Sequence, residues 1–181
     1  MIRNAVTNAV FDRQTIRAYK PAQITDEMLE TLMRAAQAAP SARNKQPCHV
    51  RFVQDGAMLH EMHIDFKNLV GWDTPAYTRS EINPFYHNAP TFVFIYADGD
   101  CAMDAGIMAE NICIAAMGLG LGTCIVGSAG ALFNNEAGQK WNDALGIPRG
   151  WRYQIGVCVG YPDETPPPKP READRIRVIC G

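Results

Sequence analysis

The chain has 181 residues, a formal net charge of −2, 47% hydrophobic and 20% charged residues, enough for one buried core without polyelectrolyte character. That balance excludes nucleic acid and anionic lipid as general electrostatic partners, while local clusters of basic residues point to a small anion. Six cysteines at 48, 101, 113, 124, 158 and 180 include no Cys-x-x-Cys pair, which excludes iron–sulfur and zinc-ribbon readings and leaves reduced thiols in a cytoplasmic protein as the expectation.

Met1 to Val10 contains Arg3 and two asparagines rather than the apolar run of a signal peptide. Ile2, Ala5, Val6, Ala9 and Val10 recur at helical spacing instead, so a short amphipathic helix leads into a basic stretch, Arg13-Gln14-Thr15-Ile16-Arg17. Thr25 has the chemistry of an N-cap, with Asp26 and Glu27 in the first turn. Met28, Leu29, Leu32, Met33 and Ala36 form one face of the helix that follows, and Pro40 lies just past its end. A loop, Pro40-Ser41-Ala42-Arg43-Asn44-Lys45-Gln46-Pro47, leads into a strand over His49 to Val53. Asp55 can cap a third helix carrying Met58, Leu59, Met62, Phe66 and Leu69.

Residues 71–90 lack periodicity but hold Trp72, Tyr77, Phe85, Tyr86 and His87, the composition of a lid or binding loop. Thr91 to Ala97 is a buried strand, and Asp100 is placed to cap a long apolar helix reaching about Met117. Residues 105–127 approach the length of a bilayer crossing, but Glu110, Asn111 and glycines 118, 120 and 122 favour a core helix, a turn and a strand over Thr123 to Val126. Leu132, Phe133, Trp141 and Leu145 suggest one more helix, closing at Gly146-Ile147-Pro148. Tyr153, Ile155, Val157 and Val159 alternate as a strand to Gly160. Five prolines between 162 and 170 make an extended arm, with a possible final strand over Ile176 to Ile179. Mixed helices and strands without an internal repeat give an α+β sandwich around one sheet. An arm that leaves the body before pairing again predicts a homodimer with an exchanged C-terminal strand.

Two familiar motifs fail on spacing. His60-Glu61-Met62-His63 separates its histidines by three positions where the zinc-protease helix needs four, so a structural or solvent-exposed role is expected. Gly118-Leu-Gly-Leu-Gly follows a helix and lacks the Gly-x-Gly-x-x-Gly pattern of a dinucleotide-binding turn, so it reads as a helix C-cap.

The two basic and amide-bearing stretches carry chemistry. Arg13, Thr15 and Arg17 offer two guanidinium forks and a hydroxyl, a set that fits phosphate oxygens at any working pH. Ser41, Asn44 and Gln46 add donors and acceptors suited to the edge of a heterocyclic ring. Taken singly, the arginines read as surface or ion-paired residues and the amides as loop-fixing groups.

In their order and spacing these stretches, with Gly120-Leu121-Gly122-Thr123, Ile147-Pro148, Gly160-Tyr161-Pro162 and Lys169-Pro170-Arg171, make the chain resemble the nitroreductase family of FMN-dependent oxidoreductases along almost its whole length. The resemblance implies one domain over 1–181, a nitroreductase-like α/β sandwich with a mostly antiparallel sheet flanked by helices. It implies a homodimer with two FMN sites at the interface, residues 71–90 as lid and 162–181 as the exchanged arm. By position it assigns Arg13 and Thr15 to the FMN phosphate or ribityl chain, Gln14 to the cofactor-binding set and Arg17 to the pyrimidine end of the flavin. Pro40, Ser41, Ala42, Asn44 and Gln46 match a loop that approaches the flavin, several of them from the partner subunit. The backbone of Val126, Gly127 and Ser128 lies by N5, and Lys169 and Arg171 match late phosphate contacts.

The activity so implied is ping-pong hydride transfer from NADH or NADPH through flavin N5 to a nitroaromatic, quinone or similar small acceptor. No catalytic side chain and no metal are implied, and Arg17 offsets charge near N1 of the reduced ring. Phe66, Trp72, Tyr77, Phe85 and Tyr86 are candidates to line the acceptor pocket, with core packing as their alternative. Gln14 stands where a basic residue is common, Cys48 where an aromatic one is, and Ile125-Val126 where some members carry tryptophan; these departures bear on pocket shape and acceptor. Three readings compete with an oxidoreductase. They are a flavin-dependent dehalogenase or flavin-consuming relative, a non-catalytic FMN-binding redox protein, and a metal hydrolase centred on His60 and His63.

Overall fold

The computed structural model describes residues 1–73 and 84–180. Its centre is a four-stranded antiparallel sheet in the order β1-β2-β4-β3, formed by β1 (Cys48–Val53), β2 (Thr91–Ala97), β3 (Gly122–Val126) and β4 (Arg152–Gly160). Every residue of β2 is buried because alternate side chains feed two different cores. Phe92, Phe94 and Tyr96 face a core shared with α3 (Gly56–Val70), α5 (Gly130–Phe133) and α6 (Gln139–Ala144). Val93 and Ile95 face the other core, built with α2 (Asp26–Gln37) and α4 (Ala102–Gly118).

Tyr153, Ile155, Val157 and Val159 were expected on one face of β4, and the structure corrects this. Ile95 pairs with Ile155 but Tyr96 pairs with Tyr153, so Gln154 is an extra residue on β4. The bulge inverts the alternation, and Tyr153 joins the aromatic core while Val157 and Val159 join the aliphatic one. Gln154 is itself secured, donating to the Gly99 carbonyl at 2.9 Å and accepting from the Cys101 amide at 3.2 Å.

The helix caps follow the local sequence. Asn4 and Thr7 close a capping box on α1 (Ala5–Asp12), Thr25 accepts from the Met28 amide, and Asp55 accepts from the Met58 amide. At α4 the N-cap is Cys101, one residue after Asp100, whose carboxylate accepts from the Ala102 amide at 3.3 Å. Gly120, at φ 73°, ends α4 in the turn expected of the glycine run, with the Leu121 amide donating to the Ala116 carbonyl. The single helix expected around Leu132 to Leu145 is instead α5, a 3-10 turn over Glu136–Gly138, and α6. Close backbone passage explains the break, since a Cβ on Gly138 would overlap the Leu132 carbonyl. No helix among the described residues is long and apolar enough to cross a membrane.

Two terminal segments carry apolar surface that this chain leaves uncovered. The amphipathic helix expected before the basic stretch is α1, but Ile2, Val6, Val10 and Phe11 are all exposed and only Ala9 is buried. Beyond Pro162 the chain is extended apart from a 3-10 turn at Ala173–Arg175. Ile176, Val178 and Ile179 form no strand among the described residues and are more than 80% exposed.

Candidate functional site

The first basic stretch is tied to the sheet by its backbone. The Ile16 amide donates to the Thr123 carbonyl at 2.9 Å and Thr15 bridges Thr123 in parallel, so residues 13–17 extend β3 on its outer side. Alternation puts Ile16 inward, against Gly122, where a Cβ would come within 2.8 Å of Ile16 Cγ1. Arg13, Thr15 and Arg17 therefore share the opposite face.

Further along, the Lys20 amide donates to the Tyr161 carbonyl, the Asp163 amide donates to the Ala18 carbonyl, and Glu164 accepts from the amides of both Arg17 and Ala18. Tyr19 is buried below, its hydroxyl donating to the Ile16 carbonyl at 2.6 Å. The exposed Arg17 guanidinium is thus carried on a fixed backbone. Arg13 is half-buried and meets Glu110 of α4 through Nε at 3.5 Å, the ion-paired alternative for this residue; the contact leaves the far end of its fork available.

The second stretch forms a self-bonded loop. Ser41 Oγ accepts from the Gln46 amide at 2.9 Å, Gln46 Nε2 donates to Asn44 Oδ1 at 3.1 Å, and the Ala42 amide donates to Asp104 of α4 at 3.2 Å. Arg43, Asn44 and Gln46 all have φ between 47° and 54°, a strained run that the loop's own bonds hold in place. Pro40, Ser41 and Gln46 border a groove of about 500 Å³ beside β1 and α2.

No hydrogen bond or ion pair among the described residues joins the two stretches. Each is anchored to α4, one at Asp104 and one at Glu110. Those positions are about 9 Å apart along the helix axis and about 120° apart around it.

Val126, Gly127 and Ser128 follow directly from β3. The Val126 carbonyl accepts from the buried Tyr153 hydroxyl at 2.6 Å, and Gly127 is exposed. Gln14 is half-buried beside Arg13 and Ala42 is exposed in the loop. Lys169 and Arg171 are exposed on the arm and enter no hydrogen bond or ion pair among the described residues.

Of the aromatic candidates, Phe66 and Phe85 are fully buried in the aromatic core and Tyr86 is buried beside them, so these rings are packing, not open stacking surface. Trp72 is partly exposed, its indole N–H donating to Asn68 at 3.1 Å, and Tyr77 lies outside the described residues. Residues 84–90 of the expected lid are turns held against the sheet.

Sequence reasoning passed over two contacts and left His63 open between a structural and a solvent-exposed role. Glu164 positions the Arg17 backbone from 147 residues away, a distance no local pattern reveals. His63 is buried among Phe66, Trp72, Phe85 and Tyr86, with no hydrogen bond to either ring nitrogen among the described residues. Burial, then the charges of Lys67 and His60, push its pKa down to about 4. No metal-binding cluster surrounds it or His60 among the described residues. Lastly, Cys124 and Cys158 face each other across β3 and β4.

This combination of a two-core sandwich and a cationic segment tied to β3 defines the class: the chain belongs to the nitroreductase family, whose profile matches residues 10–161. An Archaeoglobus fulgidus protein assigned as an NADH dehydrogenase/NAD(P)H nitroreductase is 31% identical, over 86% of this chain and 84% of that one. The NADPH-flavin oxidoreductase of Vibrio harveyi is 29% identical, over 93% of this chain and 70% of that one. Among solved structures, a Desulfitobacterium hafniense nitroreductase with bound FMN superposes with a TM-score of 0.88 at 25% identity, covering 98% of this chain and all of that one.

Proposed function

We propose that the chain is an FMN-dependent NAD(P)H oxidoreductase, acting as a homodimer on a small acceptor such as a nitroaromatic or a quinone. The observation that carries this reading is the locking of residues 13–17 onto β3. It aligns the face bearing Arg13, Thr15 and Arg17 with the strand that runs into Val126, Gly127 and Ser128. Bound FMN would supply the hydride-accepting and hydride-donating chemistry, and the family relatives carry names of that kind.

The residues present fit such a group. Arg13 and Thr15 supply a guanidinium and a hydroxyl for a phosphate, and Arg17 supplies a cation held at fixed depth by the Glu164 bonds to its backbone. A cation beside the pyrimidine edge favours the ring in its more negative state, which serves a ping-pong cycle in which donor and acceptor use one face in turn. The rigid Ser41–Gln46 loop presents amide groups, and Lys169 and Arg171 extend the cationic set from the arm.

The separation of the two stretches on α4 supports a dimer in which Ser41 and Asn44 serve the partner's flavin. Among the described residues strand β1 pairs only with β2 and leaves its other edge open. The groove beside that edge and the exposed Ile176, Val178 and Ile179 suit strand exchange between two copies.

The purified protein is expected to be yellow, to bleach anaerobically with NADH or NADPH and to recover colour on adding a quinone. Arg13→Ala and Arg17→Ala should each weaken FMN binding by about tenfold or more, the loss of one charge-assisted hydrogen bond. Unchanged flavin content in both variants would remove the site from this segment.

A further inference from the structure

We propose that Cys124 and Cys158 form an oxidisable dithiol, closed by hydrogen peroxide into a disulfide between β3 and β4. The two residues are direct cross-strand partners in an antiparallel pair. That places their Cα atoms about 4.5–5.5 Å apart, inside the span a disulfide bridges. Both are buried in the same aromatic core, and the Cys158 thiol lies within hydrogen-bonding reach of the Cys124 sulfur.

The groups around the pair make the two sulfurs unequal. Cys124 faces Cys158 from β4, His87 from the Pro84–Ala89 turn, and Arg17 and Tyr19 from the N-terminal segment, with Cys113 of α4 nearby. The Cys158 thiol within reach, the His87 contact and the Arg17 charge hold Cys124 well below the ordinary thiol range, against the opposing effect of burial. Burial pushes Cys158 up. Cys124 is therefore the nucleophile and Cys158 the resolving thiol.

The chemistry balances without any other oxidant. The Cys124 sulfur attacks one peroxide oxygen, the O–O bond breaks, and water leaves, giving a sulfenic acid. The Cys158 sulfur then attacks the Cys124 sulfur, the S–O bond breaks, and a second water leaves with the Cys158 proton. Two thiols and one peroxide become one disulfide and two waters. Burial selects a small neutral oxidant over a bulky disulfide such as glutathione.

The outcome reaches beyond the two strands. In the reduced pair, the Cys158 thiol also lies 3.2 Å from the Tyr86 carbonyl, and His87 bonds to Cys124. Forming the disulfide consumes the Cys158 thiol proton, which breaks its bond to the Tyr86 carbonyl in the Pro84–Ala89 turn. The pair is thus placed to report oxidation to the segment that closes the lid region.

The test treats the full-length protein, as purified, with hydrogen peroxide, alkylates the remaining thiols and maps peptides without reduction. The expected result is a cross-linked pair of peptides containing Cys124 and Cys158, reversed by dithiothreitol. Cys158→Ser should trap a sulfenic acid on Cys124 that reacts with dimedone, and Cys124→Ser should slow oxidation of Cys158 by at least about tenfold. Oxidation confined to Cys48, Cys101 or the exposed Cys180, with Cys124 and Cys158 fully alkylated in the wild-type chain, would overturn the proposal. The wild-type map needs no variant to fold, and its outcome is independent of flavin content.

Discussion

Acidification tests the buried histidine most directly. His63 is 2% exposed, and neither ring nitrogen has a hydrogen-bond partner among the described residues. Its folded-state pKa lies near 4 against 6.5 for the free side chain, chiefly from burial. Below 6.5 the unfolded chain takes up a proton at this position while the folded chain does not until about 4. The unfolded state thus binds more protons, and the stability present above 6.5 is lost progressively as pH falls toward 4. At about 1.4 kcal/mol per pH unit the expected loss is at most about 3 kcal/mol.

His63→Leu should flatten this dependence and leave the protein at least as stable at pH 7, because two unpaired buried nitrogens are replaced by an apolar side chain. Urea unfolding of both proteins at pH 7, 6 and 5 reads the difference. Protein and flavin concentrations must be held fixed, since dimerisation and ligand binding shift apparent stability by mass action. A proton-NMR titration of the His63 ring with a midpoint at or above 6.5, or equal pH slopes for the two proteins, would refute the reasoning.

Two further changes probe the frame of the flavin site. Gly122→Ala puts a Cβ within 3.0 Å of three Ile16 atoms whose backbone is pinned to Thr123, so it should cost about 1–3 kcal/mol and lower flavin retention together. An unchanged melting temperature with full flavin would show that the segment can shift without harm. Truncation after Pro166 removes the arm but keeps Asp163 and Glu164, whose bonds hold residues 17 and 18. It should yield a monomer with weakened flavin binding; a dimer of wild-type affinity by sedimentation would rule out strand exchange as the source of association.

Much of this was legible in the sequence wherever the determinant is local. Thr25 and Asp55 announce their helices because a capping oxygen acts within three residues. The largely apolar Thr91–Ala97 run announces a strand buried on both faces. The bulge at Gln154 was not legible, because alternation in one strand carries no record of the pairing register set by β2. The same limit hid Glu164 beneath Arg17 and Cys158 opposite Cys124, contacts made only once distant segments meet. The break between α5 and α6 depends on the approach of Gly138 to the Leu132 backbone, which apolar spacing does not encode. For the flavin site, motif order located the donors, while α4 as the beam that separates them emerged only in three dimensions.

Strand β2 also bears on how the chain survives its own synthesis. Thr91–Ala97 is an uncharged, β-prone heptad that ends up wholly hidden. One of its partners, β4, begins only at Arg152, so that side stays unsatisfied until some fifty further residues have emerged. Such a run is adhesive toward its own kind while it waits. Pro90 immediately before it and Asp98 and Asp100 after it are placed as gatekeepers, a backbone that cannot donate at one end and repelling charge at the other. Substitutions of these three residues should appear first as lost yield in expression, before any loss of activity in the molecules that fold.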